Sequence, residues 1–140
     1  MKFGIMGSAS AQRGLVDADS AAGYRDFIDY VVEAEALGYA SAWVVEHHFT
    51  GYGQVSATLS LLTFIAARTR TIRLCTAVTV LPWHNPVLLA EQAATIDLLS
   101  GGRLEFGVGK GYRHNEFASF CIPMAEADEQ IGRASCRERV

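Results

Sequence analysis

The stretch Thr71–Gly109, "TIRLCTAVTVLPWHNPVLLAEQAATIDLLSGGRLEFGVG", holds a strand, a helix and a second strand in one run. "TIRLCTAVTVL" is rich in β-branched residues, which suit a pleated backbone. In "HNPVLLAEQAATIDLLSGG", Asn85 is placed to cap a helix and Pro86 to take its first position, while Gly101 and Gly102 stop it. "RLEFGVG" then supplies the next strand. Two strands separated by a helix run parallel, because only a long crossover returns the chain to the same end of the sheet.

Upstream, the same unit repeats. "KFGIMG", Lys2–Gly7, reads as a short buried strand, followed by apolar Tyr24, Phe27, Ile28, Val31 and Ala34 at helical spacing. Asp19 or Ser20 is placed to cap that helix and Gly38 to end it. "YASAWVV" gives the second strand, and Gln54–Arg68 a helix apolar on most sides, with Leu59, Leu62, Ile65 and Ala66, that closes on Arg68 and Arg70. Strand starts near residues 2, 40, 72 and 104 lie roughly 32 to 38 apart, about one strand, one helix and two loops. Such alternation demands an α/β fold with a helix-covered parallel sheet, either doubly wound or a (β/α)8 barrel. A full barrel takes about 250 residues, so four units make half of one.

The chain of 140 residues fits one domain. A net charge of -3 and 19% charged residues leave no basic face for nucleic acid or anionic lipid. Cys75, Cys121 and Cys136 are too few and too widely spaced for a disulfide framework or a zinc knuckle, which points to a reducing, cytoplasmic setting. The opening residues lack a signal-peptide core, and no run nears the ~18 apolar residues of a membrane span. The final "IGRASCRERV", residues 131–140, has three arginines and neither apolar periodicity nor a helix signal. It resembles one reading frame of a widely used sequencing adapter. Residues 1–130 are therefore expected to form the domain, and 131–140 a non-native tail that interrupts a fourth helix begun in "NEFASFCIPMAEADEQ".

In parallel α/β folds the chemistry gathers at the carboxyl ends of the strands, and three motifs fall there. "WVVEHHFTGYG" ends the second strand in Glu46, His47 and His48. An imidazole serves as general acid or base, and Glu46 is suited to orienting one. Adjacent strand residues face opposite ways, which argues against both histidines holding one metal. In "CTAVTVLPWHNP", small Ala77 and Val78 leave room for a flat ring against the backbone, with Trp83 and His84 following. "GVGKGYRHNE" offers Gly107, Gly109 and Gly111, whose amides can approach an anion, and the charge of Lys110. Its spacing matches neither the dinucleotide fingerprint nor the P-loop.

In their order, "EHHF", "AVTVLPWHNPV" and "LLSGGRLEFGVGKGY" resemble the luciferase-like flavin-dependent monooxygenases, the family of bacterial luciferase, over nearly all of residues 1–124. The resemblance implies the N-terminal half of a (β/α)8 TIM barrel binding reduced FMN, or a related reduced flavin, at its rim; a deazaflavin-dependent oxidoreductase is the alternative, since strand-end histidines do not choose the cofactor. It implies an enzyme that oxygenates a small organic substrate with O2. His47 matches the family's catalytic histidine and His48 its neighbour. Ala77 and Val78 match a pair joined by a cis peptide bond against the flavin ring. Gly109, Lys110 and Tyr112 fall on flavin-contacting positions, with Lys110 where relatives often carry arginine near the phosphate. Met6 and Trp83 are expected on the substrate side. A flavin reductase as FMNH2 donor and a homo- or heterodimer of the full-length protein are the implied partners. Barrel phosphate sites are commonly completed after strands seven and eight, so a half-barrel is expected to have little activity and to self-associate through its open edges.

Overall fold

The computed structural model describes residues 1–11, 19–50 and 54–137, with side chains described to residue 132. Strands β1 (Gly4–Gly7), β2 (Ser41–Val44), β3 (Arg73–Thr76) and β5 (Leu104–Glu105) form one parallel sheet in the order β1-β2-β3-β5. A second small sheet pairs β4 (Thr79–Val80) with β6 (Val108–Gly109), also in parallel. Helices α1 (Ala22–Ala36), α2 (Thr58–Arg68) and α3 (Pro86–Ser100) connect the strands. This is the α/β architecture that the repeat predicts.

Side-chain alternation gives the sheet its two faces. Ile5, Ala42, Val44 and Leu74 point into a core shared with Phe27, Ile28 and Val31 of α1 and Leu61, Leu62 and Ile65 of α2. The intervening residues Met6, Trp43, Cys75 and Glu105 stand in register across the other face, where Met6 is 65% exposed. Cys75 is buried within that row, and desolvation, helped by the charge of Glu105, pushes its thiol up to about 11.

The predicted third and fourth strands are each split. Gly107 breaks the line: its carbonyl accepts from the Thr79 amide at 2.8 Å and from Thr76 Oγ1 at 2.6 Å, so the chain bends there. A Cβ on Gly107 would lie 2.2 Å from the Thr76 carbonyl oxygen, a contact that only glycine avoids. The second helix starts at Thr58 rather than Gln54, because the Val55 carbonyl is committed to the His47 amide at 2.9 Å. Asp19 accepts the Ala21 amide ahead of α1, yet Ala21 itself occupies the cap position. At α3 the expected ends hold: Asn85 accepts from the Val87 and Leu88 amides, Pro86 is first, and Gly101 is left-handed at φ 72°.

The expected fourth helix is two helices, α4 (His114–Ser119) and α5 (Ala127–Arg137). Cys121 at φ 56° and Pro123 separate them. α5 runs past residue 130, where the sequence showed no helix signal; Asp128 and Glu129 favour its first turn, and Ala and Arg propagate it well. The side chains of residues 133–140, Cys136 among them, lie outside the described residues, as do Gly51–Gly53.

The amino end of the sheet is tied by two side chains. Glu35 accepts from the Arg70, Thr71 and Ile72 amides at 2.6–3.1 Å. Arg103 donates to the carbonyls of Ser100, Ile72 and Ala66 and to Thr69 Oγ1 at 2.8–3.0 Å.

Candidate active site at the carboxyl rim of the sheet

Beyond Val44 the β2 strand delivers Glu46, His47 and His48 to the rim. Glu46 is 4% exposed, and its Oε1 lies 2.9 Å from His48 Nε2 and 2.7 Å from His84 Nε2. Its Oε2 accepts the Val80 amide at 2.8 Å. Burial alone would raise this carboxyl, but the hydrogen bonds of His48 and His84, the charge of His84 and the Val80 amide outweigh it and hold Glu46 below its ordinary 4.5. Glu46 therefore orients imidazoles, as its position in the motif suggests, and also fastens the end of β2 to the end of β4.

A second buried carboxylate completes the arrangement. Glu116 of α4 is 1% exposed; its Oε1 accepts the His48 amide at 2.8 Å and lies 3.2 Å from His47 Nδ1. Around His48 stand Phe120 at 4.8 Å and Trp83 at 5.2 Å between ring centroids, both edge-on. Trp83 stacks on Phe120 and meets Phe117. A cavity of about 260 Å3 is lined by Glu46, Thr58, Thr79, His84 and Gln92, among others.

The neighbouring strand brings Ala77 and Val78 to the same rim, since Thr76 is in register with Val44 and the Ala77 amide donates to the Val44 carbonyl at 2.8 Å. The Ala77–Val78 peptide bond is cis. Val78 is 38% exposed, and a Cβ on Gly109 would fall 2.5 Å from its Cγ2, so glycine there is set by the close approach of β4 and β6. Gly111 combines φ 77° with a similar approach to Val80. These glycines owe their identity to packing. Lys110 donates to Asp128 of α5 at 2.9 Å, and Tyr112 is turned outward with the Arg113 guanidinium 5.8 Å from its ring centre.

The structure thus brings His47 and His48 together with two carboxylates, and places Ala77, Val78 and Gly109 against one another. It does not draw Lys110 or Tyr112 into the histidine cluster. Sequence reading missed Glu116 as a site residue and assigned His84 no role. His84 had a signal, as a third histidine at a strand end; Glu116 had none, being one acid among ordinary helix residues. No group of three or more His, Cys, Asp or Glu among the described residues is arranged to hold a metal. No helix among them is long and apolar enough to cross a membrane.

At the Ala77–Val78 edge Val78 is 38% exposed, an apolar surface of the kind a flat ring would cover. Lys110 has a 45% exposed side chain, and its ammonium, which donates to Asp128, has further hydrogens to offer an anion. Giving up the Asp128 contact as well would cost little, because exposed ion pairs contribute about 0–1 kcal/mol.

Residues 1–134 match the family described as luciferase-like monooxygenase. A 4-hydroxyprotoasukamycin monooxygenase from Streptomyces nodosus subsp. asukaensis is 44% identical over 77 residues, 55% of this chain and 21% of that protein. An F420-dependent glucose-6-phosphate dehydrogenase from Amycolatopsis mediterranei is 36% identical over 115 residues, 79% of this chain and 34% of its own length. Among solved structures, the monooxygenase RslO1 from Streptomyces bottropensis superposes with a TM-score of 0.86 at 31% identity, over 96% of this chain and 41% of that one. The chain spans between 21% and 34% of the length of the curated relatives it matches.

Proposed function

Because this chain belongs to the luciferase-like monooxygenase family, we propose that it forms the histidine-bearing rim of an oxidoreductase that uses reduced FMN and O2 to oxygenate a small organic substrate. The observation that carries this reading is the pair of buried carboxylates, Glu46 and Glu116, holding His47 and His48 at the end of β2. Side chains fixed in this way are suited to chemistry, since a positioned imidazole works as acid or base only when its geometry is held.

Reduced flavin would supply the electrons for oxygen activation. Ala77, Val78 and Gly109 would offer it an apolar, close-fitting edge. Lys110 would exchange Asp128 for a phosphate, contributing charge without the two-pronged geometry of arginine. Tyr112 would cover the ring's outer side. His47 would take or give a proton beside the reacting atoms, and His48 would hold the aromatic wall of Trp83 and Phe120. Met6, exposed on the inner face, would meet the substrate. The activity belongs to the full-length protein, a homo- or heterodimer in the cytoplasm served by a separate flavin reductase; residues 131–140 are read as foreign to it.

The test is substrate-coupled oxygen consumption by the full-length protein with reduced FMN. His47→Ala should lower it by on the order of 10²–10⁴-fold, the range of general acid–base contributions. An unchanged rate would exclude His47 from the chemistry. A second reading, hydride transfer through a deazaflavin, is favoured by the likeness to the F420-dependent dehydrogenase. It would show as tight binding of F420 with no oxygen uptake, and a flavin-binding module without turnover would show binding alone.

A further inference from the structure

We propose that Glu116 and Glu46 lock the adjacent histidines in opposite tautomers, Nδ1–H at His47 and Nε2–H at His48, which makes Glu116 a positioning residue that leaves His47 Nε2 bare. The tautomer assignment stands on geometry; only its role in turnover rests on the oxygenase reading above.

A carboxylate has acceptors and no proton to give, so any ring nitrogen hydrogen-bonded to it carries the hydrogen. Glu46 is ionised at neutral pH, and its Oε1 faces Nε2 of both His48 and His84 at 2.9 and 2.7 Å. Both imidazoles are therefore Nε2–H. Glu116 Oε1 already accepts the His48 amide at 2.8 Å, and the same oxygen faces His47 Nδ1 at 3.2 Å, which assigns the ring proton to Nδ1. Among the described residues no hydrogen bond reaches His47 Nε2. Two neighbours just beyond β2 thus receive different chemistry from different partners: His47 presents an unprotonated nitrogen, and His48 spends its N–H inside the protein. The second bond of an imidazole decides which nitrogen is left for work.

One oxygen of Glu116 holds both the His48 backbone and the His47 ring, so the pose of His47 depends on the seating of α4. That helix is anchored by Phe117, 1% exposed, and its C-cap residue Phe120 packs on the His48 ring.

Long-range 1H–15N NMR of histidine side chains, recorded on the chain above the range in which imidazole titrates, reads each tautomer directly. The expected result is Nδ1–H for His47 and Nε2–H for His48 and His84. Glu116→Gln should move His47 alone toward Nε2–H, whereas Glu46→Gln should disturb His48 and His84 alone. Nε2–H at His47 in the unmodified chain overturns the proposal, since it would mean that Glu116 gives a proton to Nδ1. That measurement needs no variant to fold. In the full-length protein Glu116→Gln should lower kcat by tenfold or more, with partial rescue by Glu116→Asp. The stated tautomers in a protein that consumes no oxygen support the proposal and overturn the oxygenase reading; reversed tautomers in an active protein overturn the proposal alone.

Discussion

The end of β2 and the glycine-rich turn after β6 stand at the same rim, yet they are built on different terms. At β2, Glu46 and Glu116 are almost fully buried and every oxygen contact on them is internal to the fold. After β6, Lys110 and its partner Asp128 have side chains 45% and 76% exposed, and Tyr112 faces solvent. The first region is organised before any ligand arrives, and its cost is carried by the protein. The second keeps its groups available for exchange. Substitutions in the first should damage folding and chemistry together, whereas those in the second should act mainly on ligand affinity.

The largest expected effect tests the first region. Glu46→Ala strands two imidazole N–H groups and the Val80 amide, and should cost about 3–5 kcal/mol in urea unfolding, the usual penalty for removing one partner of a buried charged network. A loss below about 1 kcal/mol would show that the cluster is not part of the fold. Next, Gly107→Ala sets a methyl against the Thr76 carbonyl and should cost about 1–3 kcal/mol, because backbone cannot move aside as a side chain can.

Acid sharpens the contrast further. Glu46 is held below 4.5 as described, and Glu35 likewise: burial would raise it, but the amides of Ile72, Thr71 and Arg70 and the Thr71 hydroxyl prevail. A carboxyl depressed in the folded state contributes stability that is complete above its unfolded value and lost as pH falls through the folded one. Urea midpoints should therefore be flat above about 4.5 and drop progressively below it, with a shallower drop in Glu35→Gln. A pH-independent midpoint would contradict both assignments.

The smallest effect belongs to the second region. Lys110→Ala should change stability by no more than about 1 kcal/mol, since the pair with Asp128 is exposed. It should nonetheless weaken flavin binding in a fluorescence titration, and Asp128→Asn should strengthen it by freeing the lysine. Equal affinities in all three proteins would remove Lys110 from the cofactor site.

The order of elements was legible because the signals that set it are local. Asn85, Pro86 and Gly101 mark α3 by backbone chemistry alone, and the β-branched run around Leu74 marks its strand. Where a distant partner decides, the sequence was silent. The split of the third strand depends on the Gly107 carbonyl, some thirty residues away, and the late start of α2 on the His47 amide. The β2 motif was visible at the rim, but Glu116 enters it from α4, 69 residues on from His47, and only the folded chain brings them together. Lys110 was read as a cation awaiting a phosphate, and its partner Asp128 lies 18 residues on in α5, a pairing that only the fold makes.

The ties at the amino end have a different consequence. Arg103 and Glu35 hold α1, the α2–β3 connection and the turn before β5 through contacts that are mostly to backbone, which survive when neighbouring side chains change. A scaffold fastened at one pole in this way tolerates drift at the other, so the connecting segments above the strands can be exchanged between relatives to alter what is accepted there while the foundation keeps its shape.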